Sequence, residues 1–396
     1  MRSTPTITST EMHGINRSAV LDIIRREGPI ARTEIAALLQ VSLMTVVRLV
    51  DELIEEDLIR PTGKKDFSGG RRRPLLEFNA EGHVVIGVDM NEARLYGAVA
   101  DLAGNILLDL TLPQEPAGKI NYESLEKIIE QLYQAAKNTG KHIRGIGVGA
   151  PGITFTENNK VIWAPTLEWR NFPVREKLIE RFQLPVILDN DVNLSALGEM
   201  WFGIGQDCTN LVLMIVGQGI GAGIIIDGAV YRGSHLTAGE IGFLLPDRSH
   251  LGIKREGLGA LESLASDSYI LARARELLGN ERSSSDLRSL SMEDIFRAYQ
   301  HEEKWAQDII TDVVDYLAQT VATLTVCYDP DLIVLSGWVA HSPELLIQLI
   351  YQRIEGVIPI RPKLVASHLG QRAAVLGTII EILYNTTDVY MVRKLS

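Results

Sequence analysis

The sequence predicts an α/β protein with two α/β lobes and a cleft between them, preceded by a small α+β winged helix-turn-helix domain. Three observations carry this expectation. Residues 14–79 hold three short amphipathic helices followed by a Gly-rich, basic turn. The rest of the chain twice repeats a run of strands followed by crossover helices. The stretch VILDNDVNLSALGE, residues 186–199, releases Asp189, Asn190, Asp191 and Asn193 at the end of an apolar strand. Polar groups at such a strand end meet ligands in open α/β sheets.

Length and composition bound the reading. A chain of 396 residues has room for two or three domains with their own cores. It is 46% hydrophobic and 22% charged, as soluble proteins are. No apolar run approaches the ~20 residues that span a bilayer. The N-terminal MRSTPTITSTEMHG lacks the apolar core of a signal peptide, so a cytoplasmic protein with no membrane partner is expected. The two cysteines, Cys208 and Cys327, are too few for a Cys-rich zinc site, and a disulfide is not expected between them. The net charge of −11 is uneven: residues 1–78 carry 12 basic and 11 acidic residues. Arg60, Lys64, Lys65, Arg71, Arg72 and Arg73 face only Asp66 in their interval. Such a patch on an acidic chain is either a solvated loop or the footprint of a polyanion.

The flanking elements decide between these. INRSAVLDIIRREG is an amphipathic helix ended by Gly28-Pro29, and ARTEIAALLQ is a second. Ser42 is a good N-cap for LMTVVRLVDELIEEDLI, with Val46, Leu49, Val50, Leu53 and Ile54 on one face. Leu43, Thr45 and Arg48 at its start are placed to enter a major groove. β-prone segments around Leu58–Pro61 and Pro74–Phe78 flank the basic tip as a wing. Alone, the helices fit an interaction bundle and the tip a linker. In this order they indicate double-stranded DNA, with Thr45, Arg48, Lys64, Arg71, Arg72 and Arg73 as contacts.

The remaining elements follow in sequence. HVVIGVDM, LYGAVADLAG and NILLDLTLP read as strands, and YESLEKIIEQLYQAAKNT as a helix. IRGIGVGAPG is a strand ending in a Gly-Pro turn, PVILDNDVN is strand-like, and LSALGEMWFG is helical. NLVLMIVGQGIGAGIIIDGAVYRG reads as two strands around a Gly-rich turn, LIVLSG as another, and residues 343–356 as a helix.

The motif GQGIGAGIIIDGAVYRGSHLTAGEIG, residues 217–242, closely resembles the signature of the ROK family of repressors and sugar kinases. The resemblance covers nearly the whole chain, and the DNA-binding domain in front is similar to the family's repressor branch. It implies a two-lobed actin-like ATPase (ribonuclease H-like) domain, with residues 83–195 plus 371–390 as the first lobe and 196–370 as the second. AAVLGTIIEIL resembles the helix that returns to the first lobe. By the same resemblance Asn190 and Asp191 contact a sugar, as do Glu240, Glu262 and the turn containing Gly152. A sugar needs acceptors at fixed directions, and carboxylates give the stronger bonds. The bland readings are an N-cap for Asp191, a turn former for Asn190 and a helix-start acid for Glu262.

Three departures qualify the resemblance. Phe243 replaces the His that in the family contacts sugar and ligates zinc; a Phe can stack on a sugar face. Ile253, Arg255 and Ala260 replace the three zinc cysteines, so no structural zinc is expected. At the phosphate turn Asp89 matches, but Asn91, Glu92 and Ala93 replace Gly, Gly and Thr, and Trp338 follows Gly337 at the third nucleotide motif. No ATP is expected, so no cofactor, and Asp191 becomes a ligand contact rather than a catalytic base. The expectation is a non-enzymatic, sugar-responsive repressor, a homodimer or homotetramer binding a DNA operator and a monosaccharide effector, xylose by analogy. The alternative is an active sugar kinase with a DNA-binding appendage.

Overall fold

The computed structural model describes residues 9–66, 73–91, 94–113, 121–155, 160–164, 167–255, 259–279, 287 and 289–386. The N-terminal head contains α1 (Ser9–Glu27), α2 (Arg32–Leu39) and α3 (Leu43–Glu55), with strands β1 (Ile30–Ala31), β2 (Ile59–Asp66) and β3 (Arg73–Phe78) in the order β1-β3-β2. Gln40 closes α2 in a left-handed conformation (φ 54°), and the Ser42 hydroxyl accepts the Thr45 N–H at 3.1 Å. These two features set α2 and α3 at 118°, within the helix-turn-helix range. Val20, Ile24, Ile35, Val46, Leu49 and Leu53 form the core beneath. α1 starts before the expected Ile15, and β1 was not foreseen, because two residues carry no periodicity.

The first lobe runs β4 (His83–Asn91), β5 (Arg94–Asp101), β6 (Ile106–Pro113), α4 (Tyr122–Asn138) and β7 (His142–Ala150). A small antiparallel sheet of β8 (Ile153–Phe155), β9 (Lys160–Ala164) and β10 (Trp169–Phe172) follows, then α5 (Val174–Phe182), β11 (Val186–Asn190) and α6 (Asp191–Phe202). The main sheet order is β11-β7-β4-β5-β6, with β4–β6 an antiparallel meander and β7 and β11 parallel to β4.

The second lobe repeats that plan. β12 (Leu211–Val216), β13 (Ile220–Ile226) and β14 (Ala229–Val230) form the meander. α7 (Glu262–Ala265), α8 (Asp267–Leu278), α9 (Met292–Gln300) and α10 (Lys304–Tyr328) then lead to β15 (Leu332–Gly337), α11 (Pro343–Ile354) and β16 (Leu364–Ala366). The order is β14-β13-β12-β15-β16, with β15 and β16 parallel to β12. Among the described residues α10 alone is long and apolar enough to cross a membrane. Ile309, Ile310, Val313, Val314, Leu317 and Val321 are buried in this lobe's core instead. α12 (Arg372–Thr386) crosses back and packs on α6, β4 and β7, as expected of AAVLGTIIEIL.

The α6–α12 crossing is close because each helix meets the other at a glycine. A Cβ on Gly377 would collide with the Leu194 carbonyl, and one on Gly198 with that of Ala373.

Candidate ligand cleft and nucleic-acid interface

The cleft is assembled where the parallel strands of the first lobe end. The chain leaves β11 at Asn190 and turns directly into α6, so the helix begins at Asp191, three residues before Leu194, where the sequence pattern begins it. Asn190, rather than Asp191, is the N-cap. Its Oδ1 accepts from Val192 N at 2.9 Å and Asn193 N at 3.1 Å, while its Nδ2 donates to the Gly152 carbonyl at 3.0 Å. Gly152 sits at φ 83°, a conformation that favours glycine. Asn190 therefore ties the β7 turn to the start of α6, and one Nδ2 hydrogen is left over. Asp191, in the first turn, lies at the positive end of the helix dipole.

Four carboxylates converge here. Asp89, at the end of β4, is buried, and burial followed by the Asp191 charge pushes its pKa well up. Its Oδ1 has no hydrogen-bond partner among the described residues. Glu240, half-buried ahead of a one-turn helix, is pushed up to about 7 by burial, then by Asp191 and Glu262. Like charges crowded into one partly dry space shift titration in this way. An acceptor-rich cluster suits a ligand bearing many hydroxyls, which donate to carboxylates.

Glu262 is also engaged within the protein. Its Oε1 accepts from Ile220 N at 3.0 Å and its Oε2 from Gly259 N at 2.8 Å. It thus clamps the β12–β13 hairpin to the 259–262 segment before any ligand arrives. Phe243 is 46% exposed on the helix after Glu240, outside the carboxylates' hydrogen bonds.

Sequence reasoning missed Arg232. From the segment after β14 in the second lobe, its Nη2 donates to Asp189 Oδ2 at 2.5 Å and to Glu381 Oε1 of α12 at 2.8 Å. Burial alone would lower its pKa, but these two carboxylates raise it. One guanidinium thus joins the two lobes beside Asn190. The only signal in the sequence was a single cation inside the 217–242 motif.

The groups that the family implies were tested against the residues present. At the zinc positions Phe243, Ile253, Arg255 and Ala260 supply no ligand atom suited to the metal. The nearby His250 Nδ1 pairs with Arg255 Nη2 at 2.8 Å. These residues do not fit zinc. Around the glycine-rich hairpin, Gly221 and Gly223 pack against Val192 and Ala196 of α6, while Gly217 is open. The Ile220 N–H is taken by Glu262, and Asp267, whose N–H bonds Gly217 O, stands at the same turn. Carboxylates at the hairpin oppose a polyphosphate. The bulk of Trp338 does not close the cleft, because the ring is buried beside Phe296, at 5.9 Å, in the second lobe's core. The backbone of Asn91 lies in β4, but its side chain and Glu92 and Ala93 lie outside the described residues.

On the head, Arg48 and Leu43 are exposed at the start of α3, with side-chain exposure of 65% for Arg48. Thr45 is half-buried, and its hydroxyl lies 2.8 Å from Ser42 Oγ. Met44 is 77% exposed, more so than Leu43, and was not singled out from the sequence. An exposed apolar side chain there can meet a thymine methyl. Arg60 is tied to Glu77 at 2.8 Å, which removes it from the free cationic patch. β2 and β3 form the wing, pairing Asp66 with Arg73. Arg71 and Arg72 lie outside the described residues, as do the side chains of Lys64 and Arg73.

The comparisons with known proteins agree with this geometry. Residues 85–383 match the ROK family. The chain belongs to the ROK family. Residues 15–65 match the MarR family, which covers the helix-turn-helix. The xylose repressor of Caldicellulosiruptor bescii is 31% identical over 93% of this chain and 96% of its own length. The glucokinase of Halalkalibacterium halodurans is 30% identical over 68% of this chain and 84% of its own. Among solved structures, a ROK family transcriptional regulator described as a homologue of Escherichia coli Mlc superposes with a TM-score of 0.82 at 26% identity, over 97% of this chain and 99% of its own. This ROK chain thus resembles repressors over its full length, head included, and kinases over the sensor lobes.

Proposed function

We propose that the protein is a sugar-responsive, DNA-binding transcriptional repressor whose kinase-like lobes bind a monosaccharide without phosphorylating it. The observation that carries this reading is the carboxylate cluster Asp89, Asp191, Glu240 and Glu262 at one end of α6, while the other end of the same helix touches the DNA-binding head. Asp191 and Glu240 accept from sugar hydroxyls, Asn190 and Glu262 hold the walls, and Phe243 faces the ligand as it closes. Thr45, Arg48, Lys64, Arg71, Arg72 and Arg73 meet the operator. Neither zinc nor nucleotide is required, and the working form is a cytoplasmic homodimer or homotetramer. Xylose is the first effector to test, since a full-length relative is a xylose repressor.

The test is a gel shift on DNA upstream of the protein's own gene, at stated salt, with a panel of monosaccharides. One sugar is expected to change the apparent affinity, and Glu240→Ala to abolish the response while DNA binding persists. An identical shift with every sugar sinks the reading. The glucokinase likeness gives the second reading, an active sugar kinase. Sugar-dependent nucleotide consumption that disappears in Asp191→Asn would establish it.

A further inference from the structure

We infer that the seam between the DNA-binding head and the first lobe is a second ligand site, shaped for a small organic oxyanion. A cleft of about 660 Å³ opens there, a size that suits a small metabolite. Its walls come from four places: Arg25 in the last turn of α1, the β5–β6 turn, Trp201 and Phe202 at the end of α6, and Arg372 at the start of α12. In a chain of net charge −11, the described lining holds two arginines, the amide of Gln206 and that of Asn105, which donates to Asp101 at 3.0 Å, and no carboxylate.

Asp22 serves both Arg25, at 3.2 Å, and Arg26, at 3.0 Å. Arg25 Nε and Trp201 Nε1 are buried without an acceptor among the described residues, a state that costs free energy. Arg25 lies 4.3 Å over the Trp201 ring. Arg372 is exposed, and its Nε makes only a long, 3.5 Å contact with the Leu369 carbonyl among the described residues. Two guanidinium forks recognise a phosphate or carboxylate. The Trp201, Phe202 and Leu102 walls accept an organic body.

This site is separate from the sugar cleft. Trp201 is ten residues along α6 from Asp191, so about 15 Å away at 1.5 Å per residue. An occupant touches head and sensor together, and by linkage it changes DNA affinity through the way the head is docked.

The experiment uses the full-length protein with glycerol 3-phosphate, inorganic phosphate and succinate at matched ionic strength, read by titration calorimetry and by DNA affinity. At least one is expected to bind one per chain and to shift DNA affinity. Arg372→Ala should weaken that anion about tenfold, the loss of one charge-assisted fork, with Arg372→Lys in between. Glu240→Gln should leave anion binding intact, which separates this site from the sugar cleft. Preference for glycerol 3-phosphate over inorganic phosphate identifies a phosphomonoester, and preference for succinate a carboxylate. Absence of binding by all three overturns the inference, as does equal binding in Arg372→Ala. So does an Arg372→Ala variant that loses DNA affinity with no anion present, which would turn these arginines toward DNA phosphate.

Discussion

At the residue scale, Glu240 and Arg232 show how the cleft is poised. Burial and two neighbouring acids hold Glu240 at about 7. Its folded pKa is above the unfolded value, so its contribution to stability is full below pH ~4.5 and is lost as pH rises toward 7. Glu240→Gln should therefore stabilise the ligand-free protein above pH 7, on the order of 2 kcal/mol, while removing sugar binding. A sugar hydroxyl that donates to the ionised carboxylate lowers its pKa. Affinity should then rise between pH 6 and 8 with proton release near pH 7, detectable by calorimetry in buffers of different ionisation enthalpy. Flat affinity would remove Glu240 from the site. Arg232 makes the opposite case. Arg232→Met leaves Asp189 and Glu381 facing each other with their cation gone, and should cost about 3 kcal/mol in urea unfolding. The deficit should grow with pH, because buried Glu381 then resists ionisation, and Glu381→Gln should recover part of it. That Asp191 and Glu240 stand together was legible through the family resemblance, one just after a strand and the other in the 217–242 motif. Arg232 was not, since its partners lie 43 and 149 positions away.

At the element scale, the main strands and the returning C-terminal helix were readable from apolar runs and turn residues. The β8–β10 sheet and α5 were not, because strands of three to five residues carry too little periodicity. The start of α6 was misplaced for a different reason. The polar run at 189–193 reads as a loop, yet Asn190 caps a helix that has already begun. What no local pattern could reveal is the pairing of Gly198 and Gly377. These glycines let α6, which starts in the cleft, run against α12, which carries Glu381. Gly377→Ala would push the helices apart and should cost roughly 2–3 kcal/mol in thermal or urea unfolding. It should also weaken sugar dependence of DNA binding more than DNA binding itself. An unchanged midpoint would show that the crossing is looser than this packing implies.

At the scale of the whole molecule, the head is part of the first lobe's core and not a bead on a linker. One continuous apolar cluster holds Val20, Ile24, Leu49 and Leu76 of the head with Val85, Leu102, Ile379 and Ile382 of the sensor. Polar contacts reinforce it: Arg144 donates to the Glu56 carbonyl at 2.6 Å, and His83 Nε2 lies 2.7 Å from that of Asp57. Burial holds the His83 pKa down, in keeping with a structural ring. In the function proposed above, closure of the second lobe on a ligand would move it against a body made of head and first lobe together. If the subunits of a dimer meet through their second lobes, closure alters the spacing of the two heads, which must match half-sites about 34 Å apart on one face of DNA. This rigidity has a direct thermal consequence. Calorimetry of the intact chain should show the head melting with the first lobe, with no separate low-temperature transition. Deleting residues 1–79 should destabilise the remainder, because Val85, Leu102, Ile379 and Ile382 lose their cover. An isolated sensor as stable as the full chain, or a head that melts alone, would mean that the head swings freely. Ligand closure could then reach DNA only through contacts made in the assembled oligomer.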